Sequence, residues 1–293
     1  MGSNYKIVVD STTDLSYEVA EKWGLTVIPY IYNLDGTEYY NYLDYRQLSF
    51  SDFYGALRAG KTASTTQVTS FRYMETWEPL LKEGYDILYM CLSSALSKSY
   101  DQSVIAAREA AEAYPDRKII TIDSKSASLG QGALAYYAVQ ARDEGKTLEE
   151  AAAYIESLIP RLHHWIMADD LNHMRRGGRV SGASAFVGTM LSIKPILILL
   201  DDGSIKPISK VRGRGKAIDL IIERMKENIN PKDQMVFIAH SDVPEFAQQM
   251  KDTIAEKVGI KDCLISGIGP VIGAHTGPGT LAVVFLANDR PKL

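Results

Sequence analysis

Small hydroxyl residues gather at three points where an apolar run ends: Asp10-Ser11-Thr-Thr after residues 6–9, Ser93-Ser94 after 86–92, and Asp123-Ser-Lys-Ser126 after 118–122. Each run reads as a buried strand, and open α/β sheets bind ligands in the crevice beyond the carboxyl ends of their parallel strands. A hydroxyl offers one donor and two lone pairs, so these clusters suit a small anionic or polar head group. Unaided, hydroxyls at their ordinary pKa supply little chemistry. In Ser93-Ser-Ala-Leu-Ser97 the start of the following helix adds amide donors and a positive dipole end. Capping of that helix by Ser93 or Ser94 is the plainer use of the same residues.

Three further segments hold candidate residues. His275 stands in Gly267-Ile-Gly-Pro-Val-Ile-Gly273-Ala-His275-Thr-Gly277-Pro-Gly279, which reads as a loop whose backbone can approach a ligand closely; a tight turn with a backbone-bonded histidine is the equal alternative. Arg179 ends Arg175-Arg-Gly177-Gly-Arg179, a cationic loop suited to carboxylate or phosphate, or a plain solvated turn. Lys206, Lys210, Arg212, Arg214 and Lys216 could join it as one positive face. Thr62-Ala-Ser64-Thr65-Thr66-Gln67-Val-Thr69, between two helical patterns, has five hydroxyls in eight positions, more than capping alone explains.

Other chemistry finds no support. Gly130-Gln-Gly132-Ala-Leu-Ala135 has dinucleotide-like spacing but starts too far beyond its strand. There is no phosphate-loop signature, no zinc spacing among the two cysteines, and no HExxH-like pair among the five histidines. A hydrolase or transferase using Ser93, His275 and Asp10 can be assembled on paper, without a Gly-x-Ser-x-Gly elbow around Ser93. No catalytic residue, metal or cofactor is therefore assigned.

The elements that must position these residues alternate. Strands near 6–10, 25–32, 86–92 and 118–122 are separated by helices near 14–23, 49–59, 70–83 and 99–114, which implies right-handed crossovers and a parallel sheet. A helix from Gly130 to Glu144 and one over 147–160, opened by the capping-box spacing Thr147-Leu-Glu-Glu150, lead to a domain boundary near 160. Beyond it, strands near 194–200, 204–211, 234–240, 262–267 and 280–287 and helices near 169–176, 183–191, 214–228 and 243–258 predict a mixed sheet. Asp201-Asp-Gly203 marks a hairpin within it. The fold class is thus α/β, with an amino-terminal parallel-sheet domain over 1–160 and a carboxyl-terminal mixed-sheet domain over 161–293.

At 293 residues the chain can bury a sizeable core, and its net charge of −4 argues against a general grip on nucleic acid or anionic membrane. Cys91 and Cys263 are far apart in apolar runs, which predicts reduced thiols. No leader or membrane-spanning stretch is visible, so a cytoplasmic protein is expected.

The sequence resembles the DegV family of bacterial fatty-acid-binding proteins over nearly its whole length. The resemblance is carried by Asp10-Ser-Thr-Thr-Asp14-Leu, Thr65-Thr-Gln, Leu92-Ser-Ser-Ala-Leu-Ser97, Asp123-Ser-Lys-Ser-Ala-Ser, Arg175-Arg-Gly-Gly-Arg-Val, Lys194-Pro-Ile and Gly273-Ala-His-Thr-Gly-Pro-Gly279. It implies a two-domain protein that encloses one long-chain fatty acid and presents the carboxylate to a separate ATP-dependent fatty acid kinase. The kinase makes an acyl phosphate for phospholipid metabolism, and the binding protein is a carrier.

By position, Thr65 and Thr66 match the family's Thr-Ser-Gln segment, and Ser93 and Ser94 its Ser-Ser-x-Leu-Ser segment, all expected at the carboxylate. His275 matches the His-x-Gly-Pro-Gly motif and Arg179 the Gly-Gly-Arg motif, near the head group or in kinase docking; Ser11 and Ser126 are further candidates. Val68 stands where the family often has Pro, and Ser97-Lys98-Ser99 replaces Ser-Gly-Thr, which puts Lys98 close to the expected head-group site. A regulatory module acting through the basic loop is the remaining alternative.

Overall fold

The computed structural model describes residues 4–180 and 192–290. Its first half is built on a parallel four-stranded sheet in the order β2-β1-β6-β7, from β1 (Tyr5–Asp10), β2 (Thr26–Ile28), β6 (Asp86–Cys91) and β7 (Ile119–Asp123). A small antiparallel sheet, order β4-β3-β5, stands beside it: β3 (Ile31–Leu34), β4 (Thr37–Tyr40) and β5 (Ala63–Thr66). The second half is a mixed six-stranded sheet, order β10-β9-β8-β13-β11-β12, from β8 (Leu162–Met167), β9 (Ile193–Leu199), β10 (Ile205–Arg212), β11 (Val236–His240), β12 (Cys263–Gly267) and β13 (Leu281–Leu286). All pairs in it are antiparallel except β11 with β12.

The described helices are α1 (Tyr17–Lys22), α2 (Phe50–Arg58), α3 (Ser70–Lys82), α4 (Ser99–Ala113), α5 (Leu129–Asp143), α6 (Leu148–Leu158), α7 (Leu171–Gly177), α8 (Arg214–Asn228), α9 (Pro244–Lys257) and α10 (Pro270–Thr276). Helix α5 packs on β1 and β6 on one side and on β11 and β13 on the other. Placement between two sheets requires a helix without a polar face, and Gly130, Gly132, Ala133, Ala135 and Ala138 are all buried. Helices α3 and α4 lie against the parallel sheet, and α8 and α9 against the mixed one.

Several local expectations hold in detail. Thr147 and Glu150 form a reciprocal capping box at α6, and β9 and β10 pair as a hairpin across Asp201-Asp-Gly203. The helix expected over 183–191 lies outside the described residues. Others need correction. The strand read over 25–32 divides at Pro29-Tyr30 into β2 and β3, in different sheets; Pro29 has no N–H for the ladder, and the Tyr30 N–H donates to Ser11 Oγ at 3.0 Å instead. The helix read from Asp14 starts at Tyr17, with Ser16 as its cap. Asp14 instead ends a 3₁₀ turn, Ser11–Thr13, in the left-handed conformation at φ 54°.

The hydroxyl segment near 62–69 is not merely a connection between helices, because residues 63–66 pair with β3 as strand β5. The glycine-rich stretch around His275 is not a loop. It forms α10, with Gly269 as cap, Pro270 in the first turn and Gly277 at φ 73° closing it. Strand β8, which follows Pro160, was not anticipated as a strand at all.

Candidate functional site

A cavity of about 460 Å³ lies where β5, the segment 92–98, the residues after α7, and α10 meet. Its wall is mainly apolar, with Leu92, Leu96, Ala127, Met174, Val271 and Ile272. One part is polar: Thr65, Thr66, Ser94, Lys98, Arg179 and His275 all line it, residues drawn from both halves of the chain. This is within the range of about 300–1,000 Å³ typical of small-molecule sites, and a few polar groups on an apolar wall are their usual make-up.

Thr65 and His275, remote in sequence, meet because α10 packs on β5. The His275 ring spans two partners: Nδ1 lies 3.1 Å from the Gly177 carbonyl and Nε2 2.8 Å from Thr65 Oγ1. A carbonyl only accepts, so Nδ1 carries the proton, Nε2 accepts, and the Thr65 hydroxyl donates to it. Burial, and secondarily the charge of Arg179, push the imidazole down to about 4, so it is neutral at pH 7. Gly177 is required by this contact, since a Cβ there would crowd His275 Nδ1.

The remaining residues singled out from sequence separate into two groups. Ser94 lines the cavity, but its hydroxyl donates to Asp123 Oδ2 at 2.5 Å and its N–H to Oδ1 at 3.0 Å. Arg179 donates from Nη1 to the Gly177 carbonyl at 2.8 Å and from Nε to that of Leu96 at 3.4 Å. Lys98 extends into solvent, 3.4 Å from Asp101. Ser93, Ser11 and Ser126 are buried and are not part of the lining. Ser93 Oγ donates to the Gly203 carbonyl at 3.0 Å, bracing the β9–β10 hairpin against the first half. Ser11 Oγ receives the Tyr30 N–H, and Ser126 Oγ receives Nη2 of buried Arg290.

Ser93, His275 and Asp10 thus keep separate company. Asp10 accepts from the Tyr89 hydroxyl at 2.9 Å and from the Thr12 N–H at 3.0 Å. Burial raises the Cys91 thiol well above its ordinary pKa and Cys263 to about 11, so neither is an activated nucleophile. Among the described residues no group of His, Cys, Asp and Glu is placed to hold a metal, and no helix is long and apolar enough to cross a membrane. Four polar lining residues, Tyr30, Gln67, Ser97 and Thr276, stand outside the site residues expected from sequence. Ser97 ends the Leu92–Ser97 motif, whereas nothing local marks Tyr30, which lies in an apolar run.

Asp14 ties the 3₁₀ turn to the helix that carries His275, with its Oδ1 accepting the Gly269 N–H at 2.9 Å. Burial raises this carboxyl to about 8. The unfolded chain, with an ordinary pKa near about 4, releases the proton first, so stability falls as pH rises from about 4 to about 8, by up to ~1.4 kcal/mol per pH unit. Asp14→Asn keeps the acceptor and cannot ionise. It is expected to flatten the decline and raise Tm at pH 8 relative to the parent; parallel Tm profiles from pH 5 to 8 would show that Asp14 is not the group responsible.

Comparison with known proteins gives consistent results. A family model described as an uncharacterised protein of the DegV family matches residues 4–288. A DegV domain-containing protein of Clostridium perfringens is 42% identical over 287 residues, covering 98% of each chain. Among solved structures, a DegV lipid-binding protein of Thermotoga maritima superposes with a TM-score of 0.86 at 27% identity, covering 99% of this chain and 100% of that one. A stearic acid-binding protein of Eubacterium ventriosum gives 0.84 at 26% identity, over 96% and 98%.

Proposed function

The chain belongs to the DegV family, and from that premise we propose that it binds one long-chain fatty acid in the cavity beside Thr65 and His275. The observation that carries this reading is the lining itself: an apolar wall from both halves of the chain with the neutral hydrogen-bonded pair Thr65–His275 at its polar part. An acyl chain leaving water contributes roughly 0.8 kcal/mol per buried methylene, so the wall supplies most of the affinity and the polar groups orient the head. The stearic acid-binding relative supports the same ligand class.

On this reading the protein is a carrier. It presents the carboxylate to a separate fatty acid kinase, which transfers a phosphoryl group from ATP to make the acyl phosphate. Lys98 and Arg179 suit the docking or charge-stabilising role, as both line the mouth and both are exposed. The two unpaired cysteines suit a reducing cytoplasm.

Native mass spectrometry of the purified protein, followed by lipid extraction, tests the first part. One fatty acid per chain is expected; an empty protein that also fails to take up added oleate would overturn it. Thr65→Val is expected to weaken oleate binding about fivefold, because it releases the His275 ring at the polar part of the cavity from the one hydrogen bond, of ~1 kcal/mol, that Thr65 gives it. For the kinase step, acyl phosphate should form from oleate and ATP only when the protein and a fatty acid kinase are mixed.

A further inference from the structure

Arg290 is 2% exposed, and its guanidinium is spread across the seam between the two halves of the chain. Nη1 donates to the Lys125 carbonyl at 2.8 Å and to that of Leu200 at 3.1 Å, Nε to the Leu162 carbonyl at 2.8 Å, and Nη2 to Ser126 Oγ at 3.1 Å. Lys125 and Ser126 belong to the turn after β7, whereas Leu162 opens β8 and Leu200 follows β9. All four partners are neutral oxygens. Asp201 and Asp123 favour the charge electrostatically, and burial, which lowers the pKa to about 10, still leaves the group charged at pH 7. Desolvating a cation is unfavourable, and the rigid fork of an arginine offsets this only where several acceptors converge on it.

The segment that carries Arg290 is itself pinned. The Ala287 N–H donates to the Arg161 carbonyl at 2.8 Å, the Arg290 N–H to that of Pro160 at 2.6 Å, and His163 Nε2 to that of Asn288 at 2.9 Å. The turn that the guanidinium reaches is strained: Lys125 and Ser128 hold φ of 43° and 55°, and neither is glycine. Such residues persist where their surroundings over-determine them. The hairpin of β9 and β10 presses on the same turn, since a Cβ on Gly203 would fall 3.0 Å from Lys125 Cα and closer still to Ser93 Oγ. Ala127 of the turn, Ser94 bonded to Asp123, and Ile205 of the hairpin all line the cavity. Arg290 stands behind that lining and is not part of it.

We infer that Arg290 is a positioning residue for the acyl-binding cavity, a latch that holds the 125–128 turn of the first half against β8 and the β9–β10 hairpin of the second and so sets the rate at which fatty acid enters and leaves. The inference rests on the acyl-binding reading above and adds a control on exchange to it. The latch makes the same bonds whether the cavity is full or empty, so weakening it shifts opening equally in both states. Entry and release then quicken together, and the equilibrium affinity changes little. A residue that bonds the head group acts differently, chiefly on affinity through release.

The test is Arg290→Lys in the full chain, stripped of lipid, with cis-parinarate as the fluorescent probe in stopped-flow binding and in displacement by excess oleate. Lysine keeps the charge but has one nitrogen in place of three and no planar fork. The expected result is entry and release both at least tenfold faster, with affinity within about threefold of the parent. Ser126→Ala removes a single bond and leaves the guanidinium, and about threefold faster entry and release are expected. In the ligand-free protein the N–H groups of Ser93 and Gly203 donate to the Ser126 and Leu200 carbonyls, and their hydrogen exchange should rise at least tenfold in Arg290→Lys while that of β11 stays unchanged. Parental rates in both variants overturn the inference, and so does a lower affinity at an unchanged entry rate. An equal rise of exchange in β11, or failure of Arg290→Lys to fold, also overturns it, since Arg290 then serves the whole fold. A parent protein that takes up neither cis-parinarate nor oleate defeats the acyl-binding reading instead, and the amide exchange still decides whether the latch exists.

Discussion

Ala127→Trp is expected to lower fatty-acid affinity by at least a hundredfold. Ala127 lines the apolar wall just after the Asp123–Ser126 turn and is only partly buried, so an indole placed there projects into the space that the acyl chain needs. Displacing three or four methylenes forfeits roughly 3 kcal/mol at ~0.8 kcal/mol each, and about 1.4 kcal/mol is a tenfold change in affinity. Lipid content by mass spectrometry and oleate titration both read the effect, with Tm as the check on folding. Ala95→Trp approaches the same cavity from the segment between β6 and α4 and should act alike. If both variants purify with the same lipid as the parent, the acyl chain lies elsewhere and the proposed function loses its site.

The largest loss of stability is expected from Gly130→Ala. Gly130 opens α5, and a Cβ there would fall inside contact distance of the His164 ring, centred on Nε2. His164 has nowhere convenient to go: it is buried on β8, its Nδ1 is 3.1 Å from the Leu162 carbonyl, and burial holds it well below its ordinary pKa as a neutral ring. Either the ring or the helix must move. Overpacking of this kind costs about 1–3 kcal/mol and occasionally more. At roughly 2–4 °C per kcal/mol, a 3 kcal/mol loss lowers Tm by about 6–12 °C. The double variant with His164→Ala should recover much of it, because removing the ring makes room for the new methyl. A cost in Gly130→Ala that persists unchanged in the double variant would assign it to helix geometry instead.

Much of the architecture was legible in the chain because it depends on neighbours in sequence. The capping box at Thr147 and Glu150, the Asp201-Asp-Gly203 hairpin, and the alternation of strands and helices over 86–143 each arise from contacts a few residues apart. What misled were segments whose state is set by distant partners. Residues 64–66 are hydroxyl residues that look like caps, yet with Ala63 they become a strand because the hairpin of β3 and β4 offers a free edge. The glycines around His275 suggest a loop, yet Pro270 and the packing of α10 on β3, β5 and α2 hold a helix. Gly273 in that helix also lets it approach Tyr54 closely.

The site divides along the same line. The sequence by itself determined which residue types were available: the hydroxyls of 65–66 and 93–97, the histidine at 275, the arginine at 179, and the family to which their order belongs. Only the tertiary structure decided how each is used. Ser93 turns to the Gly203 carbonyl and Ser126 to Arg290, whereas Thr65 turns to His275, although all three are small hydroxyls beside strand ends. Tyr30 joins the cavity although nothing near it in the chain marks it. The reason is physical: a hydroxyl's partner is whatever acceptor or donor the fold brings within about 3 Å, and for these three that group is more than a hundred residues away.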